Sequence, residues 1–128
     1  MQLIEDFMHE LFKARADVER TRLNAYQSFR ERFLVEGYHA FSPHEFTHAR
    51  EAERITSVTH SNSKAVVTTS TVFGAITPEY RYHLVAGADR WAVAQVEIRC
   101  MVCRGTGRRK DARPCRRCNE TGWQTLAG

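Results

Sequence analysis

The cysteines constrain this 128-residue chain most, because all four lie in its last quarter as two CxxC pairs. Cys100 and Cys103 form the first pair, and Cys115 and Cys118 form the second. A CxxC turn places two sulfurs on one side of a tight loop, and two such turns supply the four tetrahedral ligands that zinc prefers. With all four positions filled by protein, no place is left for an activated water. The spacing therefore predicts one structural Zn²⁺ ion.

Two other uses of the cysteines remain open at this point, disulfide bonds and a thioredoxin-like redox pair. A reducing thiol pool favours metal ligation over disulfides, and neither CxxC pair lies in the βαβ context of a thioredoxin-like motif. The sequence shows neither a run of about 18 apolar residues nor the pattern of a secretory signal. We therefore expect a cytoplasmic protein without a membrane segment.

The N-terminal part of the chain has the pattern of helices. Apolar residues first recur at helical spacing as Leu3, Phe7, Leu11, Ala14 and Val18. After a shift of phase, the stripe continues through Tyr26, Phe29 and Phe33. This pattern predicts one helix, or two with a bend near residues 20–24, with the stripe packed in the core. The sequence SPHE at 42–45 has the residues of a helix N-cap and predicts a short helix to about Glu53.

From Arg54 onward the pattern changes to strands rich in Val, Ile, Thr, Tyr and Trp. The four segments are RITSVTHS, KAVVTTSTVF, EYRYHLVA and RWAVAQVEIRC. Helices followed by a meander predict an α+β fold, with the helices on one face of an antiparallel sheet. We divide the chain into a main domain, 1–99, and a zinc-binding tail, 100–128. The residues expected in the core are Phe7, Leu11, Phe29, Phe33, Val67, Leu84, Trp91 and Val96.

The cysteine motifs also resemble a known family. The sequence CMVCRGTG at 100–107 resembles the CxxCxGxG repeat of the DnaJ-type cysteine-rich domain, and CRRCNETG at 115–122 resembles a degenerate second copy. That family has four repeats and two zinc sites, so two repeats imply one site in a small zinc-ribbon-like hairpin. Nothing in the chain resembles the His-Pro-Asp loop of a J-domain, and chaperone activity is not implied.

The strand region has a second resemblance. Residues 80–100, YRYHLVAGADRWAVAQVEIRC, are similar to the closing hairpin of nuclear-transport-factor-two-like proteins, and residues 55–72 look like the earlier strands. The resemblance implies a curved, cystatin-like cone, a fold that hosts several unrelated functions. The combination of RYHL with a CxxCxGxG tail looks most like the bacterial immunity-protein branch. That branch implies a non-catalytic protein that binds and blocks a toxin domain.

The alternative function is a small-molecule enzyme of the SnoaL or ketosteroid-isomerase kind. Such an enzyme needs a carboxylate or histidine inside the cone with a shifted pKa. Strand alternation puts His83 on the face opposite Tyr82, together with Arg81. Asp89 lies in a turn, where aspartate is ordinary, and we assign no catalytic residue. The candidate pocket residues are Arg81, His83, Tyr82, His60 and Trp91.

Charge is distributed unevenly along the chain. Residues 1–98 carry 11 Lys and Arg against 13 Asp and Glu, and residues 99–128 carry 8 against 2, a net charge of +6. Four thiolates around zinc reduce that to about +4. The basic residues of this candidate surface are Arg104, Arg108, Arg109, Lys110, Arg113, Arg116 and Arg117. Nucleic-acid binding is a third hypothesis, but Trp123 alone is available to stack a base. We therefore expect a protein partner, with a second copy of the chain as an alternative.

Overall fold

The computed structural model describes residues 3–21, 23–38, 53–71 and 77–126. In this part of the chain, two helices precede five strands. The elements are α1 (Ile4–Thr21), α2 (Leu23–Phe33), β1 (Arg54–Ser61), β2 (Lys64–Ser70), β3 (Glu79–Ala86), β4 (Trp91–Arg99) and β5 (Trp123–Thr125). The strands form one open antiparallel sheet in the order β1-β2-β3-β4-β5. The predicted α+β class is confirmed, and the helix predicted over 42–53 lies outside the described residues except for Glu53.

The two helices pack against each other in opposite directions. Phe7, near the start of α1, contacts Phe33 at the end of α2, with 5.7 Å between ring centroids. The Glu10 carboxylate pairs with Arg32 at 3.1 Å. The chain therefore reverses its direction between the helices, which is a larger change than the bend predicted near residues 20–24. Neither of these helices is long and apolar enough to cross a membrane.

The core lies between the helices and one face of the sheet. All eight residues predicted for it are buried. Leu3 was expected to join them but is 66% exposed, because α1 begins only at Ile4. Ile4 and Met8 lie in the core beside Phe7 and Leu11, so the buried stripe of α1 begins at Ile4 and is wider than predicted.

The sheet buries one face and exposes the other, which we call the outer face. In β3, Tyr82 and Leu84 face the helices, while Arg81 and His83 lie on the outer face as predicted from strand alternation. A bulge interrupts the pairing of β3 with β4, since His83 pairs with Gln95 but Leu84 pairs with Val93. In a regular strand, residues three positions apart, such as Val93 and Val96, face opposite sides of the sheet. The extra residue that the bulge inserts in β4 lets both side chains face the core.

The edge of β4 is covered by two different segments. The N–H of Val35, just after α2, donates to the carbonyl of Val93 at 2.9 Å. At the other end of β4, Arg99 pairs with Trp123 of β5. The segment 100–122 is thus a long connection between two neighbouring strands of the main sheet. The division into a main domain, 1–99, and a tail, 100–128, stays a prediction. Within the predicted tail, β5 pairs with β4 and so belongs to the main sheet.

Candidate metal centre

The four cysteine sulfurs lie together and are buried. The Sγ atoms of Cys100 and Cys115 are 3.9 Å apart, and those of Cys103 and Cys118 are 3.6 Å apart. All four sulfurs lie within 4.8 Å of one another. A tetrahedral ion with metal–sulfur distances of about 2.3 Å needs sulfur–sulfur edges of about 3.8 Å. The thiols are free rather than disulfide-bonded, and the four cysteines could hold one metal ion.

Each CxxC pair begins a loop that we call a knuckle: the first is 100–107 and the second is 115–122. In each knuckle a glycine N–H donates to the sulfur of the second cysteine. The donors are Gly107 to Cys103 and Gly122 to Cys118, both at 3.3 Å. Such bonds orient a thiolate ligand and stabilise its charge.

The backbone of the two knuckles is equivalent residue by residue. Arg104 and Asn119 have φ angles of 55° and 52°, and the next residues, Gly105 and Glu120, have φ angles of 80° and 66°. A threonine follows in each copy, and its hydroxyl donates to the carbonyl of the second cysteine at 2.8 Å in one and 2.7 Å in the other. The resemblance between the two motifs therefore extends to their conformation, even where Glu120 replaces the expected glycine.

The knuckles also hold each other by reciprocal backbone bonds. The Cys115 N–H donates to the carbonyl of Gly107 at 2.9 Å, and the Cys100 N–H donates to that of Gly122 at 2.8 Å. A Cβ on Gly107 would lie 2.4 Å from the carbonyl oxygen of Glu120. The close approach of the two backbones, together with positive φ, explains why glycine occupies these positions.

The thiols differ in how readily they ionise. Burial raises the pKa of Cys103, but the Gly107 N–H and the neighbouring thiols outweigh it and lower that pKa to about 6. The pKa of Cys118 is raised to about 11, first by burial and then by the other three cysteines. The Cys103 thiolate therefore forms readily, and its charge opposes the ionisation of Cys118. A bound cation would supply the positive charge that lets all four ionise together.

The five candidate pocket residues lie on both faces of the sheet. Tyr82 and Trp91 are buried in the core, and the His60 ring packs edge-on against Trp91 with 5.2 Å between centroids. Arg81 and His83 lie on the outer face. The structure thus places the five in two separate groups, and their binding of a ligand stays a prediction.

The outer-face group is organised by Glu97. Its Oε1 atom accepts from Arg81 Nε at 2.8 Å and bonds His83 Nε2 at 2.5 Å. The Arg81 guanidinium lies over the ring of Trp123 in β5, 4.3 Å from its centroid. Burial raises the pKa of Glu97, but the hydrogen bonds from Arg81 and His83 outweigh it and lower that pKa. The sequence prediction missed Glu97, although the β3–β4 register places it directly opposite Arg81.

A second polar cluster, also missed from the sequence, lies between α1 and the sheet. The Glu53 carboxylate pairs with the Arg15 guanidinium through Oε1. Its Oε2 atom accepts from the hydroxyls of Tyr82 at 2.6 Å and Thr69 at 2.5 Å. Burial and the Glu53 charge raise the pKa of Tyr82. Glu53 is the last residue of the charged sequence HAREAE, which is typical of an exposed segment, so no pattern indicated its burial.

The seven basic residues of the tail are all exposed. Arg108 pairs with Glu120 and Arg113 pairs with Asp111, each at 3.5 Å. The other five make no ion pair with any residue that the structure describes: Arg104, Arg109, Lys110, Arg116 and Arg117.

Comparison with protein-family models, curated proteins and solved structures gives no match to this chain. The four-sulfur centre and the surface around it are therefore the features that carry the functional conclusions.

Proposed function

We propose that this chain is a non-catalytic, partner-binding protein whose four cysteines hold one structural zinc ion. The observation that carries the proposal is the complete and buried set of four sulfurs. A catalytic zinc site keeps a position for water, whereas a structural site takes all four ligands from the protein. Zinc and iron both suit a tetrahedral four-sulfur site, and zinc is the ion that we propose here.

The metal would replace an apolar core that the knuckles lack. Their buried cluster consists of the four cysteines alone. A segment this small cannot bury enough apolar surface to order itself, and metal binding supplies the missing free energy. Because Cys100 follows β4 directly and Gly122 precedes β5, the ion would also fix how these two strands enter and leave the knuckles.

The buried Glu53 cluster supports a structural role rather than catalysis. One oxygen of the carboxylate is engaged by Arg15, and the other accepts two hydroxyl hydrogen bonds. A general base needs a free lone pair within reach of substrate. The Glu53 side chain is also only 1% exposed. The small-molecule enzyme is therefore the weaker alternative.

The fold and partner that we propose follow the resemblances in the sequence. The fold is a cystatin-like cone of the nuclear-transport-factor-two-like kind, carrying a zinc-ribbon-like hairpin. Support comes from the helices that precede a β meander and cover one of its faces. The partner is a toxin domain, which the chain would bind and block.

Metal analysis of protein purified under reducing conditions tests the zinc site. We expect one zinc per chain, and serine in place of any one of the four cysteines should weaken binding greatly because serine is a harder, protonated ligand. Met101→Ser is the matched control, since Met101 lies between two ligand positions but is exposed. A zinc content near zero with all four thiols titratable would contradict the proposal.

Co-expression tests the immunity function. The products of the open reading frames that adjoin this gene should include one that arrests growth when it is expressed alone. We expect this chain to restore growth in the same cells. Unchanged growth arrest in the presence of the folded, zinc-loaded chain would rule out immunity as its function.

A further inference from the structure

The first knuckle exposes two adjacent apolar side chains. Met101 is 49% exposed and Val102 is 62% exposed, and only one other large apolar side chain in the described residues is exposed. The second knuckle has Arg116 and Arg117 at the equivalent positions, and both are exposed. Because the same backbone accepts arginine there, the knuckle fold does not require apolar residues at 101 and 102.

A groove of about 280 Å³ is lined by one member of this pair, Val102. Its lining residues are Val102, Arg109, Lys110 and Asp111. The Asp111 carboxylate is already engaged, because it accepts from the Arg113 N–H at 3.1 Å and pairs with the Arg113 guanidinium. Arg109 and Lys110 have no ion-pair partner among the described residues. The groove therefore combines one apolar side chain, Val102, with two available cations.

We propose that this surface, which we call the knuckle groove, binds an acidic protein segment that carries one apolar anchor side chain. The proposal rests on the proposed function and states the chemistry of its partner. The anchor would pack against Val102 in the groove and against the exposed side chain of its neighbour Met101, since methionine adapts its shape to a range of apolar partners. Carboxylates beside the anchor would face Arg109 and Lys110. Such charge complementarity raises the association rate and selects against basic partners.

The same features disfavour nucleic acid as the occupant. Binding of single strands combines a basic groove with aromatic side chains on which bases stack. Trp123 is the only aromatic residue after Cys100, and the Arg81 guanidinium covers its ring at 4.3 Å. Apolar side chains such as Met101 and Val102 gain nothing from contact with phosphates. A protein segment makes use of both parts of the groove.

The M101R/V102R variant separates the two kinds of partner, because it gives the first knuckle the residues of the second. The variant removes the apolar contact, worth roughly 1.5–3 kcal/mol for each fully buried side chain, and we expect this loss to outweigh the attraction of its two added, solvent-exposed charges for carboxylates, about 1 kcal/mol or less each. The probe is a short fluorescein-labelled peptide of aspartate and glutamate with a central Leu-Phe pair, followed by fluorescence anisotropy. We expect wild-type binding and a loss of about tenfold in the variant, which corresponds to about 1.4 kcal/mol. Zinc content equal to wild type shows that the variant is folded.

Matched measurements complete the test. R116A/R117A removes two charges from the other knuckle and should change peptide affinity less than M101R/V102R does. Unchanged or tighter peptide binding by M101R/V102R would overturn the proposal, and so would no binding by the wild-type protein. A single-stranded oligonucleotide that binds more tightly than the peptide, and more tightly still to M101R/V102R, would assign the surface to nucleic acid instead.

The growth assay distinguishes failure of the knuckle groove from failure of the proposed function. Rescue by wild type but not by zinc-loaded M101R/V102R supports both. Rescue by both proteins keeps the immunity function and overturns the groove as its binding site. Lack of rescue by wild type contradicts the immunity function, and the peptide measurement then decides the groove separately.

Discussion

Gly107 and Gly122 occupy equivalent positions in the two knuckles, and each donates its N–H to the sulfur of the cysteine four residues before it at 3.3 Å. Both glycines have positive φ, 77° and 82°. A Cβ at either position would meet a carbonyl oxygen of the other knuckle, at 2.4 Å and 2.5 Å. Each glycine thus has two roles: its N–H orients a cysteine sulfur, and its lack of a Cβ lets the two knuckles pack closely.

Alanine at either glycine should weaken metal retention, because the added Cβ pushes the knuckles apart and moves the N–H away from the sulfur. Competition with a chromogenic chelator measures this. Gly37→Ala is the matched control, since Gly37 has a φ of 85° and nothing within 4 Å of the added Cβ. It should cost about 1 kcal/mol of folding stability through the same backbone strain but leave metal affinity unchanged. Equal metal affinity in all three variants would contradict this role of the glycines.

Glu120→Gly should stabilise the second knuckle. Glu120 adopts a φ of 66°, where its counterpart in the first knuckle is Gly105. A non-glycine residue in this region costs roughly 1–2 kcal/mol, of which glycine's extra chain entropy cancels about 0.5–1 kcal/mol. The ion pair that Glu120 makes with Arg108 at 3.5 Å is exposed and adds little. Thermal unfolding of the metal-loaded protein should show a higher midpoint, and a lower midpoint would contradict the prediction.

Glu53→Gln should destabilise the main domain strongly. It removes the buried carboxylate charge that pairs with the Arg15 guanidinium, and breaking such a buried pair typically costs about 3–5 kcal/mol. Tyr82→Phe removes one hydrogen bond to the same carboxylate and should cost about 1–3 kcal/mol. Glu10→Gln is the control, because its ion pair with Arg32 is exposed and should contribute about 1 kcal/mol or less. Urea unfolding measures all three, and equal losses for Glu53→Gln and Glu10→Gln would contradict the structural role of the cluster.

Acid should weaken the outer-face group through Glu97. Its pKa lies below the ordinary value of 4.5, because hydrogen bonds from Arg81 and His83 outweigh the opposing effect of burial. A depressed pKa in the folded state stabilises the protein fully above about pH 4.5, and this contribution is lost as pH falls through the depressed value. Glu97→Gln should therefore flatten the pH dependence of the free energy of unfolding below about pH 4.5. Parallel wild-type and variant curves in that range would show that Glu97 does not contribute.

The sequence predicted the strands and the core well because both depend on local patterns. Alternation of Val, Thr and Tyr marks the four long strands, and all eight predicted core residues are buried. The helix reversal was missed because the sequence ERTRLN at 19–24 contains neither glycine nor proline. β5 was missed because it has only three residues, and its pairing with β4 depends on the return of the chain through both knuckles.

The candidate site was predictable where spacing determines it. The four cysteines follow from the two CxxC pairs, and the structure brings their sulfurs together. Glu53 could not be found in this way, because its partners Arg15, Thr69 and Tyr82 come from three distant parts of the chain. The exposure of Met101 and Val102 could not be predicted either, because the sequence of a CxxC turn does not determine whether its two middle side chains face solvent or the core.

The central claim is that the main sheet folds without a metal, whereas the knuckles need a bound metal to become ordered. Hydrogen exchange on metal-free and zinc-loaded protein tests this claim most directly. The main core buries large side chains, each worth roughly 1.5–3 kcal/mol before entropy is subtracted. Removal of the metal should therefore abolish amide protection in the knuckles and β5 while β2 and β3 keep theirs. Loss of protection throughout residues 54–98 would show that the metal holds the whole fold and would contradict the claim.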